Sequence, residues 1–519
     1  MSHDPSSYID PIADVLARIG RKGVKLWSAN GQLHYRAAKG LLSDEEIETL
    51  RSHKHQIVSM LERAGHMELA EPTVVFRSHP ERAVLSFSQE AHWRRYRLHS
   101  QRAAREIASA TRIAGNISLD LLRDSIAEVV RRHSALRTRI VVHEGTPLQQ
   151  ISESVEFKLE AQDLTALPPY SRDAEVKRCI EELILEPIEI STGPLWEVRL
   201  LRFSNEEHVL IVAMEHIVSD MRSMQIFLRE TFLAYTQLSQ GRCISLPPIP
   251  IQFTEYAEWQ RKAHDFHGGR SSYWTSRLSG SPRIRFPHDS DPLTDAHRGW
   301  AYVGVRIASD QKTNLLTWSR LRKTTSSMAV FTAYVALVAR WCNVSDIVIH
   351  YTIDGRTSTK VRDTIGFFAK LLPIRVELHR TDSFVSLLKR ITAEYYAAYE
   401  QADFYHLEAH APAADFAANS YFNWIAQETG GSPAAAKGIE DGIRCSPIPF
   451  EPPMRESIEV DAEPFILLSE VEAEVAGNVF FQKNRYHFDR MNKFASNFSI
   501  FVEALLENPD KPICDVALL

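Results

Sequence analysis

Residues 209–220 read Val209-Leu210-Ile211-Val212-Ala213-Met214-Glu215-His216-Ile217-Val218-Ser219-Asp220. The first six are apolar without a break, which is typical of a buried β-strand. A histidine follows almost at once, and an aspartate follows it four residues later. Histidine is the side chain that most often acts as a general base near neutral pH. The sequence therefore predicts a buried strand that delivers His216 to a site for proton transfer.

Asp220 has two possible roles in this pattern. It orients the imidazole of His216 directly, or it holds the turn by pairing with an arginine from elsewhere in the chain. The spacing His-x-x-x-Asp also arises by chance, so a purely structural histidine is the competing interpretation. No Gly-x-Ser-x-Gly nucleophile motif competes with His216 for the catalytic role.

The composition limits the class of protein. A chain of 519 residues, with 44% hydrophobic and 24% charged residues, predicts two or three soluble globular domains. A net charge of -6 does not indicate a nucleic-acid partner. The five cysteines are far apart, without metal-ligand or disulfide spacing, so we expect no metal site and a reducing, cytoplasmic setting. No apolar segment approaches the ~20 residues of a membrane span.

Residues 8–64 form a small predicted unit. A short amphipathic helix begins it, and Asn30-Gly31 lies between two alternating segments, which predicts a β-hairpin with a type I′ turn. The motif Ser43-Asp44-Glu45-Glu46 is a capping box that opens a second helix. We expect a helix, a hairpin and a helix in this order.

This small unit has an uneven charge. Six basic residues and no acidic residue lie between Arg18 and Lys39. One explanation is a solvated basic face. The other is a surface that docks an acidic peptide by charge complementarity, with the hairpin edge available to pair with an added strand.

The remainder of the chain is predicted to be mixed α/β. Residues 65–82 are polar and proline-containing, as in a linker, and residues 246–250 are a proline-rich crossing between two halves. We predict strands at 196–203, 209–214, 347–352 and 479–481, helices at 221–238, 328–341 and 491–506, and a long loop over 429–456. Two mixed α/β lobes with a site between them are the expected architecture.

A series of motifs gives this part of the chain a family resemblance. Residues 85–519 resemble a condensation domain of nonribosomal peptide synthetases, in the chloramphenicol acetyltransferase-like superfamily. The motifs occur in the family's order: Leu85-Ser86-Phe87-Ser88-Gln89-Glu90-Ala91-His92-Trp93, Arg132-His133-Ser134-Ala135-Leu136-Arg137-Thr138, Glu215-His216-Ile217-Val218-Ser219-Asp220-Met221 for HHxxxDG, Tyr256-Ala257-Glu258-Trp259, Ile365-Gly366-Phe367-Phe368-Ala369-Lys370-Leu371-Leu372-Pro373 and Phe422-Asn423-Trp424.

The resemblance implies roles for individual residues. His216 stands at the catalytic histidine, and Asp220 stands at the structural aspartate, whose implied partner is Arg356 in Asp354-Gly355-Arg356. The implied fold is two chloramphenicol acetyltransferase-like lobes in a V-shaped pseudo-dimer, residues 83–250 and 251–519, after a docking domain at 1–66 and a linker at 67–82. Acyl donor and acceptor would enter a tunnel from opposite faces, each normally carried on a phosphopantetheine arm.

Three positions depart from the family's motifs. Glu215 replaces the first histidine of HHxxxDG, where it would support the site by a hydrogen bond or by its negative charge. Met221 replaces the glycine, which would restrict the backbone and add bulk near the tunnel. Lys370 replaces the asparagine of the IGFFxN motif.

The small N-terminal unit is also similar to a family, the β-hairpin docking domains of such assembly lines. Members of that family capture a short acidic C-terminal motif of the upstream subunit. The resemblance assigns docking contacts to Lys25, Trp27, Arg36 and Lys39. The implied partner is an upstream acyl or peptidyl carrier protein, and the basic run supports it independently.

These resemblances imply a free-standing condensation enzyme of a polyketide or nonribosomal peptide assembly line. It would transfer an acyl chain from a carrier thioester to an amine or hydroxyl of a separate acceptor, free or carrier-bound, with possible chain release. No cofactor is expected on the chain itself; the phosphopantetheine arm belongs to the partner. Two alternatives stay open: a catalytically silent adaptor that binds carrier proteins, and an acyltransferase that uses a coenzyme A thioester.

Overall fold

A computed structural model gives the fold as two compact units, residues 1–75 and 76–519. The division falls within the segment 67–82. The residues that the structure describes are 25–29, 32–36, 47, 50–52, 54, 57, 81–98, 105–266, 272–282, 284–289, 299–405, 420–425, 443–448, 450, 463–470 and 474–519.

The first unit contains the predicted β-hairpin. Strand β1 (Lys25–Ala29) pairs antiparallel with β2 (Gln32–Arg36), with Ala29 opposite Gln32. Residues 47, 50–52, 54 and 57 are helical, and Leu50 and Ile57 are buried, which confirms the second helix at these positions. The first helix, the turn residues Asn30-Gly31 and the capping box lie outside the described residues.

In the first half of the second unit, the described residues form two sheets and four α-helices. Its elements are β3 (Arg82–Val84), α1 (Phe87–Leu98), β4 (Ile107–Ala114), α2 (Leu119–Arg132), β5 (Thr138–His143), β6 (Thr146–Ile151), β7 (Leu159–Asp163), α3 (Pro169–Leu185), β8 (Trp196–Arg202), β9 (Glu207–Met214) and α4 (Met221–Ser239). Strands β3, β6 and β5 form a small sheet, and β4, β9, β8 and β7 form the core of a larger one. The predicted hairpin before His216 is confirmed as β8 and β9, with Trp196 opposite Met214.

The continuous apolar run of β9 is explained by burial on both of its faces. Leu210, Val212 and Met214 pack into one core with α2 and α4. The intervening residues, Val209, Ile211 and Ala213, pack into a separate core with α3. A strand covered by helices on both sides has no need of polar alternation, so its end is fixed in space.

The second half is built on a six-stranded mixed sheet. Its elements are α5 (Phe253–Phe266), α6 (Ser272–Leu278), β10 (Trp300–Ile307), α7 (Ser309–Leu321), α8 (Ser326–Cys342), β11 (Asp346–Ile353), β12 (Lys370–Glu377), α9 (Phe384–Glu400), β13 (Tyr421–Ile425), β14 (Arg444–Pro447), β15 (Phe465–Glu470), β16 (Val475–Gln482) and α10 (Phe488–Glu507). The sheet has the order β10-β16-β15-β13-β11-β12, and β13 is parallel to both neighbours.

Helix α8 is the centre of the second core, as its apolar sequence predicted. Every residue from Met328 to Ala339 is buried. The helix packs with the six-stranded sheet, α9 and α10. Neither α8 nor any other helix among the described residues is both long enough and apolar enough to cross a membrane.

One strand crosses from the second half to the first. The prediction of a loop over 429–456 is wrong at β14, which pairs antiparallel with β4 and extends the larger sheet of the first half to β14-β4-β9-β8-β7. Cys445 of β14 is buried in the core of that sheet. Four residues are too few to show a periodic pattern, so the strand exists because β4 offers a partner.

Candidate active site

His216 lies in a tight turn directly after β9. It is the one side chain between His208 and Asp220 that is not buried. Its Nδ1 lies 2.7 Å from the carbonyl oxygen of Ser219. Because a carbonyl oxygen only accepts hydrogen bonds, Nδ1 carries the proton and the lone pair is on Nε2. The turn therefore presents a partly exposed imidazole in the tautomer whose Nε2 can accept a hydrogen bond.

The aspartate of the motif pairs with an arginine and not with His216. Asp220 Oδ2 lies 2.9 Å from Arg356 Nη1, and Oδ1 lies 3.1 Å from Arg356 Nη2. Both side chains are almost fully buried. Since His216 Nδ1 donates to Ser219, the structure favours the second of the two roles left open for Asp220, that of holding the turn.

Asp220 also joins the two halves of the second unit. The backbone N–H and the hydroxyl of Ser223, in the first turn of α4, lie 2.7 Å from Oδ1. The backbone N–H groups of Phe368 and Ala369 donate to Oδ2 at 3.0 and 3.1 Å. Burial alone raises the pKa of the Asp220 carboxyl, but Arg356 and the Ser223 hydrogen bonds outweigh burial and hold that pKa below its ordinary value.

Two glycines allow this close approach. Gly355 has φ +67°, and a Cβ there would lie 1.8 Å from the carbonyl oxygen of Phe368. A Cβ on Gly366 would lie 2.2 Å from the ring of Phe253. A side chain at either point would clash, so glycine lets the loop that carries Arg356 and the 365–369 segment pack against the turn of residues 215–220.

The 365–369 segment forms one wall of the site. The ring of Phe367 lies 4.2 Å from the ring of His216, centroid to centroid. The backbone N–H of Ile365 donates to Nδ1 of His133 at 3.3 Å, and Gly366 donates to Ser223 at 3.0 Å. Phe367 therefore packs on the imidazole of His216.

Glu215 is buried next to His216. One carboxylate oxygen lies 2.7 Å from Nε2 of His92, and the other accepts from the backbone N–H of Ile217. Burial lowers the pKa of His92, but the charge of Glu215 and its hydrogen bond outweigh burial and raise that pKa above the ordinary value. The structure therefore gives the departure at Glu215 a specific partner.

The other two departures are also accommodated. Met221 is the first residue of α4, which Asp220 caps, so its position needs no glycine conformation, and 37% of its surface is exposed. Lys370 is buried and forms an ion pair with Asp403. The hydroxyl of Tyr256 donates to the same carboxylate at 2.8 Å, and Thr357 donates to its other oxygen.

The residues predicted to contact the docking partner belong to the first unit. Lys25 and Trp27 are on β1, and Arg36 is on β2. The register places Lys25 opposite Arg36 and Trp27 opposite His34, so these positions share one face of the hairpin. Lys39 lies outside the described residues.

Several residues near the catalytic turn were quoted only as parts of motifs. Gln89 and His92, three residues apart on α1, and His133 at the end of α2 all contact the site. The helical spacing of Gln89 and His92 is the one sequence signal that could have grouped them. Their contacts span more than 100 residues of sequence, which no local pattern encodes.

Comparison with known proteins identifies the family. A family model described as Condensation domain matches residues 80–519, and one described as TubC N-terminal docking domain matches residues 12–63. One of the linear gramicidin synthase proteins of Brevibacillus parabrevis is 30% identical over 350 residues. This match covers 67% of the chain and 7% of that relative, so the chain spans less than a tenth of its length.

Two solved structures share the fold. The X-domain from teicoplanin biosynthesis has a TM-score of 0.70 at 21% identity, covering 87% of this chain and 99% of that chain. The SgcC5 protein from Streptomyces globisporus has a TM-score of 0.69 at 24% identity, covering 83% and 100%. Because the condensation model spans most of the sequence, the chain belongs to the condensation-domain family, whose members are acyltransferases of nonribosomal peptide assembly lines, and it carries a TubC-type docking domain at residues 12–63.

Proposed function

We propose that this protein transfers an acyl chain from a carrier-protein thioester to the amine or hydroxyl of a separate acceptor, with His216 as the base. The proposal rests on the tautomer and the exposure of His216. Its Nδ1–H is committed to Ser219, and it alone is accessible in a turn that is otherwise buried. A base held in one tautomer, at the edge of a packed core, suits proton transfer.

The proposed step is balanced without a bound cofactor on this chain. The acceptor nitrogen or oxygen attacks the thioester carbonyl carbon while Nε2 of His216 takes its proton. The carbon–sulfur bond then breaks, an amide or ester bond remains, and the thiolate of the carrier's phosphopantetheine arm receives a proton. Asp220, Arg356 and Glu215 support the site by holding the turn and take no part in the proton transfer.

The donor is proposed to arrive on an upstream carrier protein. In this assignment residues 1–66 dock the carrier's acidic C-terminal motif, 67–82 are the linker, and 83–250 and 251–519 form the two lobes of the catalytic region. By the register of the hairpin, Lys25, Trp27 and Arg36 occupy neighbouring positions of one face, and two of these three residues are basic. Lys39 adds a further positive charge to this region of the sequence, and a carboxylate-rich peptide is the complementary ligand.

The acceptor is proposed to be a small molecule or a second carrier-bound group. SgcC5, which shares the fold, was crystallised with 1-(2-naphthyl)-1,2-ethanediol, a free diol. That precedent supports testing hydroxyl acceptors beside amines. Release of the chain as an ester or amide would follow if the acceptor is free.

The test is intact-mass spectrometry of an acyl-loaded carrier protein that bears an acidic C-terminal tail. It is incubated with the full-length protein and a panel of amines and alcohols. We expect acyl loss from the carrier, with a matching amide or ester, and no loss with His216→Ala. His264→Ala is the matched control, since His264 packs on Phe87 and does not contact the catalytic turn. Equal transfer by wild type and His216→Ala would remove His216 as the base.

A second candidate is a catalytically silent adaptor. Glu215 and Met221 alter the core motif, and the X-domain, which shares the fold, is known in a complex with OxyB. An adaptor predicts that the carrier binds while its thioester stays intact with every acceptor. The same mass-spectrometry experiment, combined with a binding measurement, separates the two functions.

A further inference from the structure

We propose that His92 is a positioning residue for His216, acting through Glu215. The inference rests on the proposed acyl transfer for its kinetic test and has a second test that does not need turnover. It concerns helix α1, which sequence analysis did not connect with the site. The juxtaposition is direct: the ring of His92 lies 6.0 Å from the ring of His216, and both rings pack on Phe367.

The protonation of His92 is set by its neighbours. Arg95, one helical turn later on α1, lies with Nη2 3.0 Å from Nδ1 of His92. Because a guanidinium only donates, Nδ1 accepts and the proton is on Nε2. Nε2 then donates to Glu215 at 2.7 Å. Arg95 thus selects the tautomer that serves the carboxylate.

Glu215 transmits this contact to the catalytic turn. Its second oxygen accepts the backbone N–H of Ile217, directly after His216. Its own backbone carbonyl accepts the hydroxyl of Ser219 at 2.9 Å. The carbonyl of Ser219 in turn accepts the Nδ1–H of His216. Hydrogen bonds to the side chain and backbone of Glu215 and Ser219 therefore link His92 to the imidazole of His216.

Helix α1 also makes a direct hydrogen bond to Ile217, the residue whose N–H binds Glu215. Gln89, which shares the face of His92, donates from Nε2 to the carbonyl of Ile217 at 2.9 Å. The N–H and the carbonyl of Ile217 are therefore both fixed by α1, one directly and one through Glu215. A buried carboxylate that loses one of its two partners reorganises to recover it, so removal of His92 should displace the turn.

The consequence for catalysis is a loss in rate with little loss in binding. His92 is buried and contacts Glu215, Arg95 and Phe367, so we expect it to make no contact with the carrier protein. A displacement of about 1 Å in a catalytic group costs about 100-fold in rate. We therefore expect His92→Leu to lower kcat by about 100-fold and to change the KM for the acyl carrier by less than about 2-fold.

The kinetic test compares three variants with wild type. His92→Gln keeps a side-chain N–H for Glu215 and should recover at least about one tenth of wild-type kcat. Arg94→Gln is the control on the same helix, because Arg94 is exposed and pairs with Glu90. Equal rates for His92→Leu and wild type would overturn the proposal, as would equal rates for the Gln and Leu variants. Melting temperatures identify any variant that fails to fold.

The second test follows the Nδ1–H of His216 by NMR in protein labelled with ¹⁵N-histidine. The signal is assigned by its loss in His216→Ala. We expect it to broaden or shift in His92→Leu and to stay in place in Arg94→Gln. If wild type transfers no acyl group while this signal still responds to His92→Leu, the proposed function fails and the positioning role stands. A signal unchanged in His92→Leu overturns the positioning role alone.

Discussion

Arg356 and Asp220 form a buried ion pair with two contacts, in which Nη1 lies 2.9 Å from Oδ2 and Nη2 lies 3.1 Å from Oδ1. Arg356 belongs to the loop after β11, and Asp220 caps α4. The pair therefore joins the two halves of the second unit beside the turn that carries His216. Arg356 also lies over the ring of Phe368 and donates to the carbonyl of Thr364 at 3.0 Å.

Removal of this arginine should destabilise the fold. Arg356→Met leaves the Asp220 carboxylate buried without its cationic partner, which costs about 3–5 kcal/mol of unfolding free energy. Urea unfolding at pH 7 measures the change. The matched control is Arg131→Met, because Arg131 is 71% exposed and pairs with Glu128 at the surface. The control should change stability by less than about 1 kcal/mol, and an equal effect of both variants would contradict the prediction.

The ion pair of Lys370 and Asp403 gives a second prediction. Lys370→Met should cost about 3 kcal/mol of unfolding free energy. The Asp403 carboxylate would stay buried without its cationic partner, although it would keep the hydrogen bonds from the hydroxyls of Tyr256 and Thr357. Adding Asp403→Asn removes the uncompensated charge, so the double variant should recover most of this loss. A double variant as unstable as the single one would show that Lys370 acts through packing alone.

The elements that the sequence predicted correctly are those whose burial leaves a continuous apolar pattern in their own residues. Residues 209–214 of β9 are apolar without a break because two cores lie against them, and α8 is buried from Met328 to Ala339 because other elements surround it. Strand β14 was missed because it forms by pairing with β4, a strand that is distant in the sequence. Arg444 of β14 lies opposite Ala114 of β4. Such a partner is a property of the tertiary structure.

The residues of the candidate site also fall into those that short motifs predicted and those that only the structure reveals. His216, Asp220 and Arg356 stand in short motifs, so the family resemblance could place each of them, and the structure brings them together. The contact between His92 and Glu215 has no such signal, since 123 residues of sequence separate the two. Glu215 looked like a departure from a motif, and only the fold reveals that a histidine from α1 accompanies it.

The 365–369 wall of the site gives a third prediction. Gly366→Ala places a methyl group 2.2 Å from the ring of Phe253, although the backbone conformation itself admits alanine. This contact must be relieved, and we expect the 365–369 segment to shift and to carry Phe367 away from His216. We expect kcat for acyl transfer to fall by about 10–100-fold. Steady-state transfer from an acyl carrier measures it.

A matched glycine separates this effect from the general effect of a methyl group. Gly304 on β10 has open space where a Cβ would lie. Gly304→Ala should therefore keep wild-type kcat. Unchanged kcat in Gly366→Ala would show that the wall tolerates displacement without loss of catalysis.

The last prediction concerns His350 and acid stability. His350 lies on β11, 1% exposed and beside the ring of Tyr421, and burial lowers its pKa to about 4. In the unfolded chain the pKa of histidine is about 6.5. The folded state thus binds the proton more weakly, and the stability due to neutral His350 is complete above about pH 6.5 and is lost as the pH falls toward 4. Between pH 7 and pH 5 this loss amounts to about 2 kcal/mol.

Substitution of His350 by leucine removes this titration. Urea unfolding of wild type and His350→Leu at pH 7 and pH 5 gives two differences in unfolding free energy. The pKa values of Asp220 and His133 are also lowered in the fold, so protonation of these groups at low pH destabilises the protein as well. This contribution is the same in wild type and in the variant, so it cancels from the comparison. The decline should therefore be smaller by about 2 kcal/mol in the variant. An equal decline in the two proteins would mean that His350 is reached by solvent, or carries its proton, in the folded state.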